Sequence, residues 1–453
     1  MKFLYFIPRY DPSAMGNRIH AEIITAWRQY GVETEVVTLA SGLQRLVTEE
    51  HEGITVHRLP VSANLALKFA NRGLGTVLHY PYLAGALLHY RRLLQTHQYD
   101  LVHVETAFPL GLVAALVPPV LHPPLAVTLP GADIMAEPDY DYGYGRFRTV
   151  RALLPLVFKR SAVLRADSPQ IRELAIQRGA DPQKVVAIPY NITADSYPPA
   201  MVDLEQLRAQ CRAEIIARHH LDPARPIVVS LSRLHPFKGV AYLVDAIPQV
   251  QHAGVRPQVL IVGPSRSTPR FGDYGTYLQA RATEVGVSEA ITLVGAVEHV
   301  LTLTYLAAAD VVVVPSVAES FNRVAVEAAA VGTPVVVTNT TGVNVYIQEY
   351  QCGTVVAPCS GSAIAEALIQ LLTDQQQWHV YRMHALQMAA VFRSEVIAAA
   401  LLRLYAPHVP AVLDHDQLKT KDVETAFSSN SHLIMDISSE IALFMILMKS
   451  ILC

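Results

Sequence analysis

Cysteine is scarce in this chain: the 453 residues contain four, and no two of them form a CxxC pair. Structural zinc sites and disulfide-rich domains both need cysteines at closer and more regular spacing. The scarcity therefore excludes both classes and predicts a protein of a reducing compartment, the cytoplasm. The four cysteines are Cys211, Cys352, Cys359 and Cys453.

An excess of positive charge is also missing. Lys and Arg together number 36 and Asp and Glu 39, which gives a formal net charge of −3 at pH 7. A protein that grips nucleic acid needs a clear basic excess on one domain, so nucleic acid is not an expected partner. The 18 histidines show neither HxxxH nor HExxH spacing, so the sequence predicts no metal site.

Long uninterrupted apolar segments are lacking as well. Only five apolar residues separate Lys2 from Pro8, too few for the centre of a signal peptide, so we expect none. The stretch from residue 106 to residue 132 has no charged side chain, but its six prolines would remove helix hydrogen bonds in lipid. We interpret this stretch as a short helix, a loop and a buried strand rather than a membrane span.

The sequence does contain two series of short, β-branched apolar runs. The first series is KFLYFI, TEVVTL, ITVHRL, DLVHVE, LAVTLP and KVVAIP, and the second is PIVVSLS, QVLIVG, AITLVG, DVVVVPS and TPVVVTN. Such runs alternate with helical stretches in doubly wound parallel sheets. The predicted fold class is α/β, with two Rossmann-like domains that face each other across a cleft.

The two series also set the predicted domain limits. Residues 1–190 form a first domain, and residues 226–390 form a second. Residues 191–225 mix prolines with polar residues and are interpreted as a connection rather than a core element. Residues 391–410 are expected to form a helix that returns to the first domain, and residues 411–453 a tail whose order the sequence does not decide.

Charged side chains follow the strands of the second series, at the edge where open parallel sheets bind ligands. Arg233 and Lys238 lie in the loop SRLHPFKG behind the first of these strands. An Arg fork and a Lys point charge on one loop suit the two phosphates of a diphosphate. Taken alone, an Arg and a Lys on one loop are surface charge in most proteins. Gly263, behind the next strand, would let the backbone approach a ligand, although an ordinary turn also uses glycine.

Two glutamates flank the start of a predicted helix. Residues 321–331 have helical composition, so Glu319 lies in the preceding loop and Glu327 lies about two turns along, roughly 12 Å away along the axis. That separation suits two hydroxyl-bearing rings better than one shared metal ion. Free N–H groups at the helix start can face phosphate oxygens. These groups belong to Ser320, Phe321 and Asn322.

These motifs resemble those of the family 4 glycosyltransferases, which have the two-domain GT-B fold. The resemblance extends from PIVVSLS through SRLHPFKG, LIVGPS and AADVVVVPSVAESFNRVAVEAAAVGTPVVV to YQCGTVVAP, in family order and spacing. It implies that Arg233 and Lys238 bind the donor diphosphate. It further implies that Glu327 holds the nucleotide ribose and that Glu319 contacts the transferred sugar.

The resemblance also implies a reaction. A hexose would pass from a nucleotide diphosphate sugar to a glycan or a lipid-linked acceptor, with retention of the anomeric configuration. No cofactor and no tightly bound metal would take part. The cations would stabilise the departing diphosphate while the acceptor hydroxyl attacks on the same face of the sugar.

The sequence departs from the family pattern at three places. Asn322 replaces the usual glycine of the glutamate motif, and Asn tolerates left-handed backbone better than most residues. Gly16 and Asn17 stand where the family has a pair of glycines that approach the donor. Pro130 replaces a histidine of the catalytic cleft, so either Asp133 or the backbone compensates for it, or the cleft of the first domain serves an unusual acceptor.

Two other functions stay open at this point. A non-catalytic partner subunit that only binds a sugar nucleotide would explain Pro130 and the reduced glycine loop. A sugar-nucleotide epimerase of similar architecture would release a free product, but it lacks the arrangement of Glu319 and Glu327.

Two local patterns have plain interpretations. The tripeptide from Asp139 to Asp141 fits a metal-chelating DxD pattern, but we interpret it as part of a tyrosine-rich cleft wall. The segment RFRTVRALLPLVFKRSAVLRAD is interpreted as one helix with a buried stripe and a solvated basic face. Contact with anionic lipid at the inner membrane face is the alternative. Its basic residues are Arg146, Arg148, Arg151, Lys159, Arg160 and Arg165.

Overall fold

The structure is a computed structural model that describes residues 1–11, 15–199 and 201–409. The predicted tail from residue 411 onward lies outside the described residues. Each half of the described chain is built around one large sheet, of eight strands in the first half and six in the second.

The first sheet is parallel except at one edge. Its strand order is β3-β4-β2-β1-β5-β6-β7-β8, and only β3 runs antiparallel to its neighbour. The helices cover both faces, which explains why β5 and β6 are buried along their whole length. The elements of this half are β1 (Lys2–Phe6), α1 (Met15–Gln29), β2 (Glu33–Ala40), β3 (Val47–His51), β4 (Ile54–Pro60), α2 (Leu65–Leu78), α3 (Leu83–Thr96), β5 (Leu101–Glu105), α4 (Leu112–Ala115), β6 (Leu125–Leu129), α5 (Arg148–Arg160), β7 (Val163–Ala166), α6 (Pro169–Gln177) and β8 (Val185–Ala187).

The second sheet is entirely parallel, in the order β13-β10-β9-β14-β15-β16. All four residues of β14, VVVV, are buried because helices cover both faces. Its elements are α7 (Leu204–His219), β9 (Ile227–Leu231), α8 (Val240–His252), β10 (Gln258–Val262), the short pair β11 (Ser267–Thr268) and β12 (Gly272–Asp273), α9 (Tyr274–Glu284), β13 (Ile291–Gly295), α10 (Val300–Ala308), β14 (Val311–Val314), α11 (Arg323–Ala330), β15 (Val335–Thr338), α12 (Asn344–Tyr350), β16 (Gly353–Val356), α13 (Gly361–Thr373), α14 (Gln375–Ala390) and α15 (Ser394–Tyr405).

Every predicted strand is present, and the predicted α/β class with two parallel sheets is confirmed. The strands that the sequence analysis missed are short or lie at an edge. The strand β3 has an alternating burial pattern with four polar or charged residues in five, and β7 lies inside a segment that had been interpreted as one helix.

The chain crosses between the two halves twice. The first crossing was predicted to be residues 191–225 without a core element, and this is wrong for its second part. Helix α7 lies there and buries Cys211 and Ile215 in the core of the second half. At the second crossing, α15 packs on α1, where the indole of Trp27 donates to the carbonyl of Ala398 at 3.1 Å.

The fold shows which elements two segments of unusual composition form. Residues 106–132 form a short helical region and the buried strand β6, as predicted. The basic segment is not one helix, because α5 ends at Arg160 and β7 follows. Arg165 is consequently buried in a strand and donates to the carbonyls of Ile188 at 2.9 Å and Pro189 at 2.6 Å.

No single helix among the described residues is long and apolar enough to cross a membrane. The helical stretches Gln375–Ala390 and Ser394–His408 meet the length and composition criteria only as a pair, and the pair is bent by 48°.

Candidate active site

Lys238 and Glu319 form an ion pair beyond the carboxyl ends of the second sheet's strands. Lys238 closes the turn between β9 and α8, and Glu319 follows β14; the ammonium donates to Oε2 of the carboxylate. Their side chains are only 11% and 14% exposed. Partial burial strengthens the attraction between the cation and any anion that reaches it. The structure therefore brings together two of the residues predicted for the site.

Arg233 precedes this turn on the same loop and is exposed. In the described part of the chain no carboxylate forms an ion pair with it, so its charge is available to an anionic ligand. Gly263, behind β10, holds the loop in place: a Cβ there would lie 1.8 Å from the carbonyl oxygen of Ser232. Gly263 is thus required by the close approach of two backbones, and its approach to a ligand stays a prediction.

Asn322 starts α11 in a conformation that glycine would adopt easily. Its φ is +90°, and its side-chain oxygen accepts from the N–H of Ala325 at 3.0 Å. The side-chain amide also lies 3.4 Å from Oε2 of Glu319. The helix begins at Arg323, two residues later than predicted. The ring of Phe321 packs in the core, so only its backbone is left for a ligand.

The cap at Asn322 leads to a stability prediction. We expect Asn322→Ala to lower the free energy of unfolding by about 1–2 kcal/mol, because it removes the cap and leaves a β-carbon at positive φ. Asn322→Gly should cost only a few tenths of a kcal/mol, since glycine accepts this φ. Urea unfolding of both variants measures the difference. Equal losses of unfolding free energy in the two variants would show that the positive φ does not determine which residue is favoured at this position.

Glu327 lies one turn into α11 and is only 9% exposed. Burial raises the pKa of its carboxyl, and the nearby Arg323 and His299 partly offset that effect. The carboxylate contributes to the wall of a cavity of about 770 Å³, large enough for a nucleoside. Helix α1, the first crossing, α10 and the start of α15 form the other walls, which include Glu22 and Ser394. Lys238 and Glu319 are not among the residues that line this cavity, so a ligand that touches all three side chains must extend beyond it.

Gly16 and Asn17 lie in the first turn of α1, not in a loop as predicted, because α1 begins at Met15. A Cβ at Gly16 would meet nothing within 4 Å, so no described neighbour requires glycine there. The side chain of Asn17 accepts from the N–H of Asp11 at 3.1 Å and donates to the carbonyl of Arg9 at 2.8 Å. Asn17 thus closes the loop after β1.

Asp133 lies at the seam between the two halves and is 1% exposed. Its Oδ2 accepts from the N–H of Ala107 at 2.6 Å, while its Oδ1 has no hydrogen-bond partner among the described residues. Burial raises the pKa of this carboxyl to about 7. Nearby, Gly131 packs so closely on Ser320 that a Cβ would lie 2.3 Å from that side chain. The loop after β6 and the loop that contains Glu319 and Ser320 therefore face each other across the seam.

Two family models match the chain over most of its length. The model "Glycosyl transferase 4-like domain" matches residues 15–191, and "Glycosyl transferases group 1" matches residues 212–387. The two matches correspond to the two sheets. The chain belongs to the family 4 glycosyltransferases. The family predicted from the motifs is confirmed.

Curated relatives of this family 4 glycosyltransferase are moderately similar. A D-inositol 3-phosphate glycosyltransferase from Nocardia farcinica is 32% identical over 240 residues, which are 52% of this chain and 50% of the relative. A GDP-mannose-dependent phosphatidylinositol monomannoside mannosyltransferase from Mycobacterium tuberculosis is 27% identical over 63% of this chain and 70% of the relative. The chain thus spans about half the length of the first of these relatives.

Solved structures show the fold of the glycosyltransferase. Sucrose-phosphate synthase from Thermosynechococcus elongatus superimposes with a TM-score of 0.69 at 21% identity, covering 89% of this chain and 98% of that one. Anabaena HepE in complex with UDP gives 0.67 at 21% identity, covering 90% and 100%. The GT-B architecture predicted from the sequence is confirmed.

One further buried acidic residue, Asp167, was not predicted from the sequence. It follows β7, is 1% exposed, and interacts with the hydroxyl of Ser320 across the seam. Its Oδ1 has no described hydrogen-bond partner. Burial raises its pKa to about 8, although Ser320 and Arg165 act in the opposite direction. In the sequence Asp167 directly precedes the start of a helix, and an acidic residue at such a position does not by itself indicate a functional site.

Asp167 should make the glycosyltransferase less stable at higher pH. The folded carboxyl keeps its proton up to about pH 8, whereas the unfolded one loses it near pH 4. The folded state thus binds more protons in this window, and its stability falls as pH rises through it. Asp167→Asn cannot ionise, so it should gain about 3–4 kcal/mol relative to the wild type between pH 5 and pH 8. Denaturant unfolding at pH 5 and pH 8 measures this difference in stability, and Asp222→Asn, at an exposed position, is the matched control. If stability changed with pH in the same way for Asp167→Asn and wild type, the prediction would be contradicted.

The tyrosine-rich loop of the glycosyltransferase lies against the second half. Tyr142 stacks on Phe237, with ring centroids 4.7 Å apart, directly beside the turn that carries Lys238. Asp141 pairs instead with Arg146 at 2.9 Å. Across the described residues no cluster of three or more acidic, histidine or cysteine side chains is arranged to hold a metal.

Proposed function

We propose that the protein is a retaining hexosyltransferase that moves a sugar from a nucleotide diphosphate donor to a glycan or lipid-linked acceptor. The observation that carries the proposal is the set of groups around the start of α11. Lys238 pairs with Glu319, Arg233 stands exposed on the same loop, and the first N–H groups of α11 lack intrahelical acceptors. Fixed cations and free N–H groups are what a departing diphosphate requires.

The donor would lie along the cleft. Its diphosphate would meet Arg233, Lys238 and the start of α11, its ribose would reach Glu327, and Glu319 would accept from hydroxyls of the transferred sugar. When the sugar binds, the ion pair between Glu319 and Lys238 must partly separate. The ammonium of Lys238 would then pair with the donor phosphates. The names of the relatives support an inositol phosphate or a phosphatidylinositol lipid as acceptor, and a fold neighbour binds UDP.

Measured donor turnover, with and without acceptors, tests the proposal. Transfer should depend on both substrates, and the product should keep the anomeric configuration of the donor. Binding without turnover across a broad acceptor panel would instead favour a non-catalytic partner subunit. The specific observation behind that alternative is the seam at Gly131, where the backbone packs on Ser320 and Pro130 carries no polar side chain. Asp133, with its unpartnered Oδ1, is the acidic group we propose to serve the reacting sugar in that place.

Transfer should not need a metal. Arg233 and Lys238 supply the positive charge that a divalent ion would otherwise bring to the diphosphate. We therefore expect EDTA to leave the transfer rate within about twofold of its starting value. A loss of activity in EDTA that Mg²⁺ restores would contradict this part of the proposal.

We also propose that the protein works in the cytoplasm, at the inner face of the membrane. Cys211 and Cys352 are buried as free thiols, which suits a reducing compartment. A lipid-linked acceptor would be met at the membrane surface.

A further inference from the structure

Three neighbouring helices of the first half carry no acidic residue. The chain has no Asp or Glu between Glu52 and Asp100, or between Asp141 and Asp167, and these intervals contain α2, α3 and α5. We call the outer surface of α2, α3 and α5 the basic face. Its exposed cations, none of which forms an ion pair with a described carboxylate, are Lys68, Arg72, Arg91, Arg92, Arg148 and Lys159.

Helix α2 also exposes large apolar side chains on this face. Leu65 is 69% exposed, Phe69 66% and Val77 55%. The helix buries only Leu67 and Asn71, so most of its apolar surface faces outward. A surface helix of a soluble domain normally does the opposite, with its apolar stripe on the core. Contiguous exposed apolar groups mark a surface that meets a partner.

The basic face is continuous and adjoins the cleft. Helix α2 packs on α3, and its end is attached to α5 by the stacked rings of His79 and Phe147, 3.6 Å apart. The hydroxyl of Thr149 donates to the carbonyl of Val77 at 2.9 Å. The loop that leads into α5 contains Tyr142, which lies on the second half at the cleft. A partner on the basic face would thus be close to the acceptor side of the cleft.

We propose that the basic face docks on an anionic lipid surface, with α2 lying in the interface. Arginines and lysines attract anionic headgroups, while exposed Leu and Phe side chains enter the boundary between headgroups and acyl chains. An acidic protein would satisfy the cations but would not require outward leucine and phenylalanine on the same helix. The purpose of the docking rests on the proposed function, since it would bring the cleft to a lipid-linked acceptor.

Vesicle sedimentation with the full chain tests the proposal. Wild-type protein should bind vesicles of phosphatidylcholine with phosphatidylglycerol, bind pure phosphatidylcholine at least about tenfold more weakly, and lose affinity as salt is raised. The double variant K68Q/R72Q should bind the anionic vesicles about tenfold more weakly or worse. L65S/F69S should also bind more weakly, because it removes the inserted side chains. The control R218Q/R256Q removes two positive charges from exposed positions of the second half and should bind like wild type.

Three results would overturn the proposal. They are no binding of wild type to anionic vesicles, equal binding to both vesicle types, and unchanged binding of the two α2 variants. Unchanged binding of the two α2 variants is also the result expected if the chain attaches to vesicles through residues 410–453, because all variants keep these residues. Thermal stabilisation by a nucleotide sugar without lipid, measured on the same proteins, separates this proposal from the proposed function, because the α2 variants should retain it fully.

Discussion

Lys238→Ala should lower the turnover of the donor by about two to three orders of magnitude. The ammonium is the partly buried cation at the start of the α8 turn, and the proposal assigns it the charge that builds on the departing diphosphate. The substitution also leaves the carboxylate of Glu319 without its ion-pair partner at a mostly buried position. Turnover should therefore fall more than donor affinity does, because the developing charge is larger in the transition state than in the bound donor.

Two further variants make the result specific. Arg256→Ala removes an exposed cation of the same domain and should leave turnover unchanged, which excludes a general effect of net charge. Lys238→Arg keeps the charge but presents a planar fork in place of a compact ammonium, so it should recover only part of the rate. Turnover of Lys238→Ala within a factor of a few of wild type would remove Lys238 from the catalytic assignment.

Glu327→Ala should weaken donor binding about 10- to 100-fold. A carboxylate that accepts hydrogen bonds from ribose hydroxyls is worth about 1.5–3 kcal/mol, and each 1.4 kcal/mol is a tenfold change in Kd. Because Glu327 is assigned to the ribose, the loss should be equal for the nucleotide sugar and for the nucleotide diphosphate without sugar. Calorimetric titration with both ligands measures the two Kd values.

The cavity offers a matched control for this substitution. Glu395 contributes to the same cavity wall but is exposed, and Glu395→Ala should bind the donor as wild type does. Glu319→Gln should show the complementary pattern, with a larger loss for the sugar-bearing ligand than for the nucleotide diphosphate. If Glu327→Ala weakened only the sugar-bearing ligand, the roles of the two glutamates would have to be exchanged.

The parallel sheets were predictable because their strands leave a strong signal. A strand buried on both faces must be apolar at every position, as VVVV in β14 shows, and such runs stand out from the polar loops around them. The edge strand β3 carries Glu49 and Glu50 and gives no such signal. Helix α7 was missed as a core element because most of its exposed residues are polar and only two of its residues are buried.

The candidate site was predictable where a residue type serves chemistry directly, and less so where geometry decides. Lys238 and Glu319 were assigned independently, and the structure joins them in one ion pair. The close approach of Gly263 to Ser232 was not predictable, since which backbone lies opposite a glycine depends on the folding of a distant loop. Asp167 had no signal at all, because its importance arises from burial at a seam that only the assembled halves create.

Thermal unfolding in the presence of a panel of nucleotide diphosphate sugars tests the central claim most directly. A ligand that binds only the folded state must raise the unfolding temperature in proportion to the logarithm of its excess over Kd. We predict that at least one nucleotide diphosphate sugar stabilises the wild-type protein in this concentration-dependent way, and that the double variant R233A/K238A loses the effect. Equal unfolding temperatures with and without every donor in the panel, or full stabilisation of the double variant, would contradict the account.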